Sequence, residues 1–288
     1  MVVDKLLPLA LAFIMFALGL GLTLADFARV FRSPRAIAVG LVSQMLLLPL
    51  IAFGIAVLFG LPATMAAGLM ILAACPGGAS AGLITKLANG ETALSISLTA
   101  ITSVLAVFSV PLIVGFGLHH FTGTAPDAEL PVFDIVRGVF IITTIPVALG
   151  MLLRHLRPAL TRRIEPVAGR IATALFIMIV IATFTSQRQA LFDHLASTGP
   201  AALVLCIFVM GAGFGLGALT SIGRRGRIAI AVECGLQNAA LAIFLAVTVL
   251  QLPALAVPGV IYALLMNICA IIFIIAMRLK PPSLAGAH

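Results

Sequence analysis

Nine runs of about 20 apolar residues follow one another along this chain, and nothing constrains its fold more. They cover residues 6–24, 36–59, 64–87, 92–117, 132–153, 167–186, 199–221, 228–250 and 254–277. Hydrocarbon offers no partner to a backbone N–H or C=O, so a segment of this length spans lipid as a helix. Composition agrees. Hydrophobic residues make up 62% and charged residues 9%, with mean hydropathy +1.26, whereas soluble domains carry about 25% charged residues. The chain therefore reads as an all-α polytopic membrane protein with nine transmembrane helices.

The connections test that count. With the N-terminus outside, the inner segments hold Arg29, Arg32, Arg35, Lys86, Arg154, Arg157, Arg162, Arg163, Arg170, Arg224, Arg225, Arg227, Arg278 and Lys280. The outer side keeps Lys5, Arg137 and Arg188, together with the acidic connection from Asp127 to Asp134. This bias places the N-terminus outside and the C-terminus in the cytoplasm. It also accounts for the net charge of +8 without a nucleic-acid partner. No connection is long enough for a second, soluble domain, and the first run reads as a retained helix rather than a signal peptide. Cys75, Cys206, Cys234 and Cys269 fall in apolar runs and form neither a CxxC nor a Cys/His cluster. The five histidines lie in connections or at the terminus and read as solvated surface.

Two of the nine runs carry groups that lipid does not tolerate. The eighth contains Glu233-Cys234-Gly235-Leu236-Gln237-Asn238. A charge at mid-depth costs about 2.5–3.5 kcal/mol even on the lenient insertion scale, and an intramembrane acid is a functional hypothesis by default. Glu233 and Gln237 would share one face of an unbroken helix, but Gly235 weakens the helix between them. The third run contains Cys75-Pro76-Gly77-Gly78-Ala79-Ser80. Pro76 removes a donor and Gly77 and Gly78 free the backbone, which predicts a discontinuous helix. Its released carbonyls suit a cation and its half-helix N-terminus an anion. The third and eighth spans run in opposite directions, and paired interruptions in inverted halves point to a transporter core.

Other polar residues join this inventory. Gln44 lies in the second run, Ser95, Ser97, Thr99, Thr102 and Ser103 in the fourth, and Asn267 in the ninth. Hard cations prefer oxygen ligands, which Gln44, Ser95, Thr99, Glu233 and Gln237 supply. A single Ser or Thr is better explained by back-bonding within its helix. Gly211, Gly213, Gly215 and Gly217 form two small-xxx-small pairs, explained by close helix packing.

In Phe16 to Phe27, Cys75-Pro-Gly-Gly-Ala-Ser80, Ala93-Leu-Ser95 with Thr99, and Val232-Glu-Cys-Gly-Leu-Gln-Asn238, the chain resembles the bile acid:sodium symporter family. The resemblance implies an inverted-repeat transporter fold in which two discontinuous helices cross. A panel domain would comprise about 6–24 and 132–186, and a core domain about 36–117 and 199–277. It implies one sodium site of Gln44, Glu233 and Gln237 with the carbonyls of Cys234 and Leu236. A second would use Ser95, Thr99 and Glu233 with a Ser and an Asn after the Pro-Gly-Gly turn, where this chain has Ala81 and Gly82. One or two Na⁺ ions would then be coupled.

Asn238 and Asn267 match positions lining the substrate crevice. The turn at Pro76, Gly77, Gly78 and Ser80 would hold an anion through amides and helix termini. The implied activity is sodium-coupled import of a small organic anion, such as a bile acid or other carboxylate, by an integral protein of the bacterial inner membrane. A proton-coupled exporter of the arsenite or auxin-carrier type is the nearest alternative, and a channel a more distant one. No paired aspartate, HExxH or nucleophile–His pair lies within the spans, which speaks against an enzyme.

Overall fold

A computed structural model describes residues 2–78, 80–123 and 132–279, and among these the chain is helical throughout, with no strand. The elements are α1 (Val2–Gly21), α2 (Leu24–Arg32), α3 (Pro34–Leu58), α4 (Ala63–Ala74), α5 (Ala81–Leu87) and α6 (Thr92–Thr122). They continue with α7 (Val132–Leu156), α8 (Pro158–Ser186), α9 (Arg188–Leu219), α10 (Arg224–Gly235), α11 (Ala239–Val249) and α12 (Pro253–Leu279). Six of these, α3, α6, α7, α8, α9 and α12, are long and apolar enough to cross a membrane. Three shorter apolar helices, Leu6–Gly21, α4 and α11, fall within the first, third and eighth runs. Most of the acidic connection, residues 124–131, lies outside the described residues, as does Lys280.

Two helices start well before the apolar runs that predict them. The sixth run begins at 167 but α8 at Pro158; the seventh begins at 199 but α9 at Arg188. Hydropathy marks where hydrocarbon begins, whereas the helix continues into water as long as its ladder is satisfied. Pro158 is placed for that purpose, at the first helical position where no N–H is needed. At its other end, α6 runs on to Thr122 and stops at Gly123, whose φ of 64° is the left-handed conformation that favours glycine.

α1 packs on α7 and α8, while α9 packs on α10 and α12, and α6 on α4, α5 and α10. The α1–α7 contact depends on two glycines. A Cβ on Gly19 would strike the Val147 backbone, and one on Gly150 the backbone of Phe16 and Gly19. Only bare Cα atoms let the two chains approach this closely. In α9 one of the two expected small-residue pairs packs, Gly213 and Gly217 against α10. Gly211 and Gly215 have no atom within 4 Å of an added Cβ, so close packing does not explain them.

Four of the arginines cap helices. Arg154 donates to Leu20 O at 2.7 Å, Arg278 to Leu87 O at 2.7 Å, Arg224 to Met277 O at 2.7 Å and Arg35 to Thr220 O at 3.3 Å. Those carbonyls lie at the C-terminal ends of α1, α5, α12 and α9, where no intrahelical donor remains and the dipole favours a cation. His120 is exposed, and its ring centroid lies 4.8 Å from that of Phe53 and 4.9 Å from that of Phe121.

Candidate functional site

The two expected interruptions are present, and they meet. α4 ends at Ala74, and Cys75 is extended (φ −72°, ψ 150°), as the residue before a proline prefers. α10 ends at Gly235, and Leu236 is extended (φ −104°, ψ 98°). The two broken segments form an isolated antiparallel bridge at Gly77 and Gln237. Gly78 N–H donates to Leu236 O at 2.7 Å and Asn238 N–H to Pro76 O at 2.9 Å. Each break thus satisfies backbone groups the other releases, as a buried, low-dielectric setting demands. Gly235 O receives the Tyr262 hydroxyl at 2.9 Å. Asn238 then restarts the helix, its Oδ1 accepting from Leu241 N–H at 3.1 Å.

Around this bridge the polar side chains sort into two groups. Glu233, 1% exposed, accepts from Ser95 Oγ at 3.0 Å on Oε2 and from Thr99 Oγ1 at 2.6 Å on Oε1. Its carboxylate presses on Gly77, where a Cβ would overlap it. Among the described residues no Lys or Arg forms a salt bridge with it. The second group is a carboxamide pair. Gln44 Nε2 donates to Gln237 Oε1 at 3.0 Å and lies 3.4 Å from Cys75 O, while Gln237 Nε2 donates to Cys234 O at 2.7 Å. Gln44 reaches this point from a π-helical turn, Ser43–Leu47, inside α3; such wide turns recur at functional sites.

The weak point expected at Gly235 decides how these side chains are placed. Glu233 and Gln237 do not lie on one face of a continuous helix, because α10 ends at Gly235 between them. Glu233 turns to α6, and Gln237 to α3 and the carbonyl of Cys234. The Leu236 carbonyl accepts from Gly78 N–H, which leaves it one further lone pair. Ser95 and Thr99 stand together on Glu233 as their spacing predicts, whereas Ser97, Thr102 and Ser103 bond back to carbonyls of their own helix.

Other positions separate from the cluster. Asn238 is buried and its amide lies 3.7 Å from Met15 Sδ of α1, so it stands between the second break and α1. Asn267 is exposed on α12 and donates to Ala263 O at 2.6 Å, and so is not gathered with these residues. Ser80 is exposed and makes no side-chain cap to α5. Ala81 is fully buried in an apolar cluster with Val232 and Leu236. Tyr262 escaped sequence reasoning, although the one tyrosine of the chain inside an apolar run was a usable signal.

The chemistry on offer is that of oxygen: one carboxylate, two hydroxyls, two carboxamides and the carbonyls of two broken helices. Among the described residues no group of three His, Cys, Asp or Glu gathers, so the arrangement suits a hard cation and not a soft transition metal.

The chain is similar to known proteins. Residues 8–194 match the Sodium Bile acid symporter family. "Probable sodium/metabolite cotransporter BASS2, chloroplastic" of Oryza sativa subsp. japonica is 30% identical over 261 residues, 89% of this chain and 60% of that protein. "Uncharacterized sodium-dependent transporter YocS" of Bacillus subtilis (strain 168) is 28% identical over 92% of this chain and 81% of its own. "Ileal sodium/bile acid cotransporter" of Cricetulus griseus is 28% identical over 82% of this chain and 67% of its own. The chain thus spans 60% of the length of the rice relative.

Proposed function

Because this chain belongs to the Sodium Bile acid symporter family, we propose that it is a sodium-coupled importer of a small organic anion, working by alternating access. One observation carries the reading. A carboxylate with no basic partner among the described residues is buried where two interrupted helices meet, beside hydroxyl and amide oxygens. An uncompensated buried charge is strongly destabilising, and a cation removes that penalty. Gln44, Glu233, Gln237, Ser95 and Thr99, with the carbonyls of Cys234 and Leu236, are the proposed sodium ligands. Sodium at Glu233 would bias the paired breaks toward one arrangement and so prepare the place the anion needs.

The finer architecture follows from the same reading. Nine crossings, with the third and eighth made of the paired half-helices, would put the two termini on opposite sides, and the Lys and Arg bias supports an N-terminus outside. The α1–α7–α8 packing supports a panel, and the remaining helices a core. Asn238, between the second break and α1, would then face the crevice between them; the Pro76-Gly77-Gly78 turn lies across the bridge from it. For a monoanion, a second sodium ion adds about 2.3 kcal/mol of drive per 100 mV, while one sodium leaves transport electroneutral.

The test is direct. Sodium, but not potassium, should raise the thermal stability of the purified protein, since a ligand that binds the folded state stabilises it by about 2.7 kcal/mol at a hundredfold excess over Kd. Uptake of a bile acid into proteoliposomes should require an inward sodium gradient. Transport that ignores sodium and follows pH would replace this reading with the proton-coupled one.

A further inference from the structure

A cavity of about 590 Å³ lies away from the Glu233 cluster, where the α1–α2 connection meets the C-terminal turns of α7 and the start of α8. That is within the range of sites that enclose a ligand. Its walls are hydrocarbon, with Leu24, Ala148, Met151 and Leu152 among them, and its polar rim includes Arg154 and His155. Leu24 is 70% exposed and Leu152 51%, so the cavity is open to its surroundings along an apolar wall. None of the residues gathered at Glu233, Gln44 or Asn238 lines it.

The rim sits in a strongly basic stretch: between residues 154 and 170 the chain carries Arg154, Arg157, Arg162, Arg163 and Arg170 against Glu165 alone. Arg154 is partly buried and held in place, its Nη1 bonded to Leu20 O at 2.7 Å and 3.5 Å from Glu165 Oε2. A guanidinium has five donors, so this anchoring leaves further N–H groups for another acceptor.

We propose that this cavity is a binding site for an anionic phospholipid, one acyl chain lying along Leu24, Met151 and Leu152 and the phosphate resting on Arg154 and His155. Apolar walls open to the bilayer take a chain, and a basic pocket between helix ends takes an anionic headgroup. A neutral lipid satisfies only the walls, and a small cargo anion only the rim. The lipid would tie α1 to α7 and α8, on both of which α1 packs. The proposal requires membrane residence but not sodium coupling.

Native mass spectrometry of the full chain in mixed micelles tests it, with phosphatidylglycerol and phosphatidylcholine of identical acyl chains as probes. Wild type should retain one phosphatidylglycerol in preference to phosphatidylcholine. Ala148→Trp fills the cavity and should abolish that preference, and His155→Glu should weaken it roughly fivefold, the effect of about one charge at a membrane surface. His155 is exposed, so the second variant remains informative if the first fails to fold. Equal retention of both lipids by wild type, or unchanged phosphatidylglycerol retention in either folded variant, overturns the proposal. Displacement of phosphatidylglycerol by decanoate in excess also overturns it, and would make the cavity a cargo vestibule instead.

Discussion

The two interruptions are built from different material. The first, from Cys75 to Ser80, contains a proline and two glycines and brings no ionisable group except a thiol. What it contributes is backbone and room: the Pro76 carbonyl, the Gly78 N–H and the bare Cα of Gly77 on which the carboxylate rests. The second, from Leu236 to Asn238, has no proline, and it provides the side chains of Gln237 and Asn238, with Glu233 just before it. It is also tightly held. Tyr262 secures the last carbonyl of α10, Asn238 caps α11, and residues 228–246 are buried throughout, while Ser80 at the far side of the first break is exposed and caps nothing. One break needs a sequence that cannot continue a helix; the other needs partners that reward leaving it.

Substitutions in the two breaks should therefore fail in different ways. The largest effect is expected at Glu233→Ala in the second break, which should abolish sodium-dependent uptake and the sodium-induced thermal shift while the protein still folds in detergent. Persistent stabilisation by sodium in that variant would end the assignment. Next comes Gly77→Ala in the first. Its methyl group overlaps the Glu233 carboxylate, and overpacking of this kind costs about 1–3 kcal/mol. The decisive measurement is the double variant: if the two breaks share one site, Gly77→Ala should cost clearly less thermal stability in the Glu233→Ala background, and simple additivity would separate them.

Smaller effects distinguish how the breaks are anchored. Asn238→Ala removes the cap of α11 and should lower stability by about 1 kcal/mol, within the 0.5–2 typical of such caps, as read by thermal unfolding. Ser80→Ala, the corresponding change beside α5, should stay within about 0.5 kcal/mol and leave sodium dependence intact. A cost at Ser80 as large as at Asn238 would mean that the two half-helices are capped alike after all.

Much of this was legible from residue types. Pro76 with its glycines announced one break, and Glu233 and Gln237 marked the other as a place where lipid could not be the neighbour. Ser95 and Thr99, one turn apart, end on the same carboxylate because a continuous α6 preserves their spacing. Gly235 marked the weak point between Glu233 and Gln237, but not the direction in which the break sends the second side chain. Asn267 looked equivalent to Asn238 as a polar residue in an apolar run, yet it bonds to its own helix. Arg35, Arg154, Arg224 and Arg278 were not legible as caps, because each reaches a carbonyl on a helix other than its own.

Alone, the sequence determined the solvent. Its long apolar runs require helices in lipid, and its few intramembrane polar groups require some refuge from that lipid. It also marked where α4 stops, because Pro76 is followed by two glycines, whereas Pro111, Pro166 and Pro200 lack them and lie inside continuous helices. Which polar groups share a refuge was decided by tertiary structure. Ser95 and Glu233 are 138 residues apart, and Gln44 and Gln237 193 apart. No local periodicity connects such positions; they meet because two broken backbones complete each other's hydrogen bonds, and that pairing orients every side chain around it.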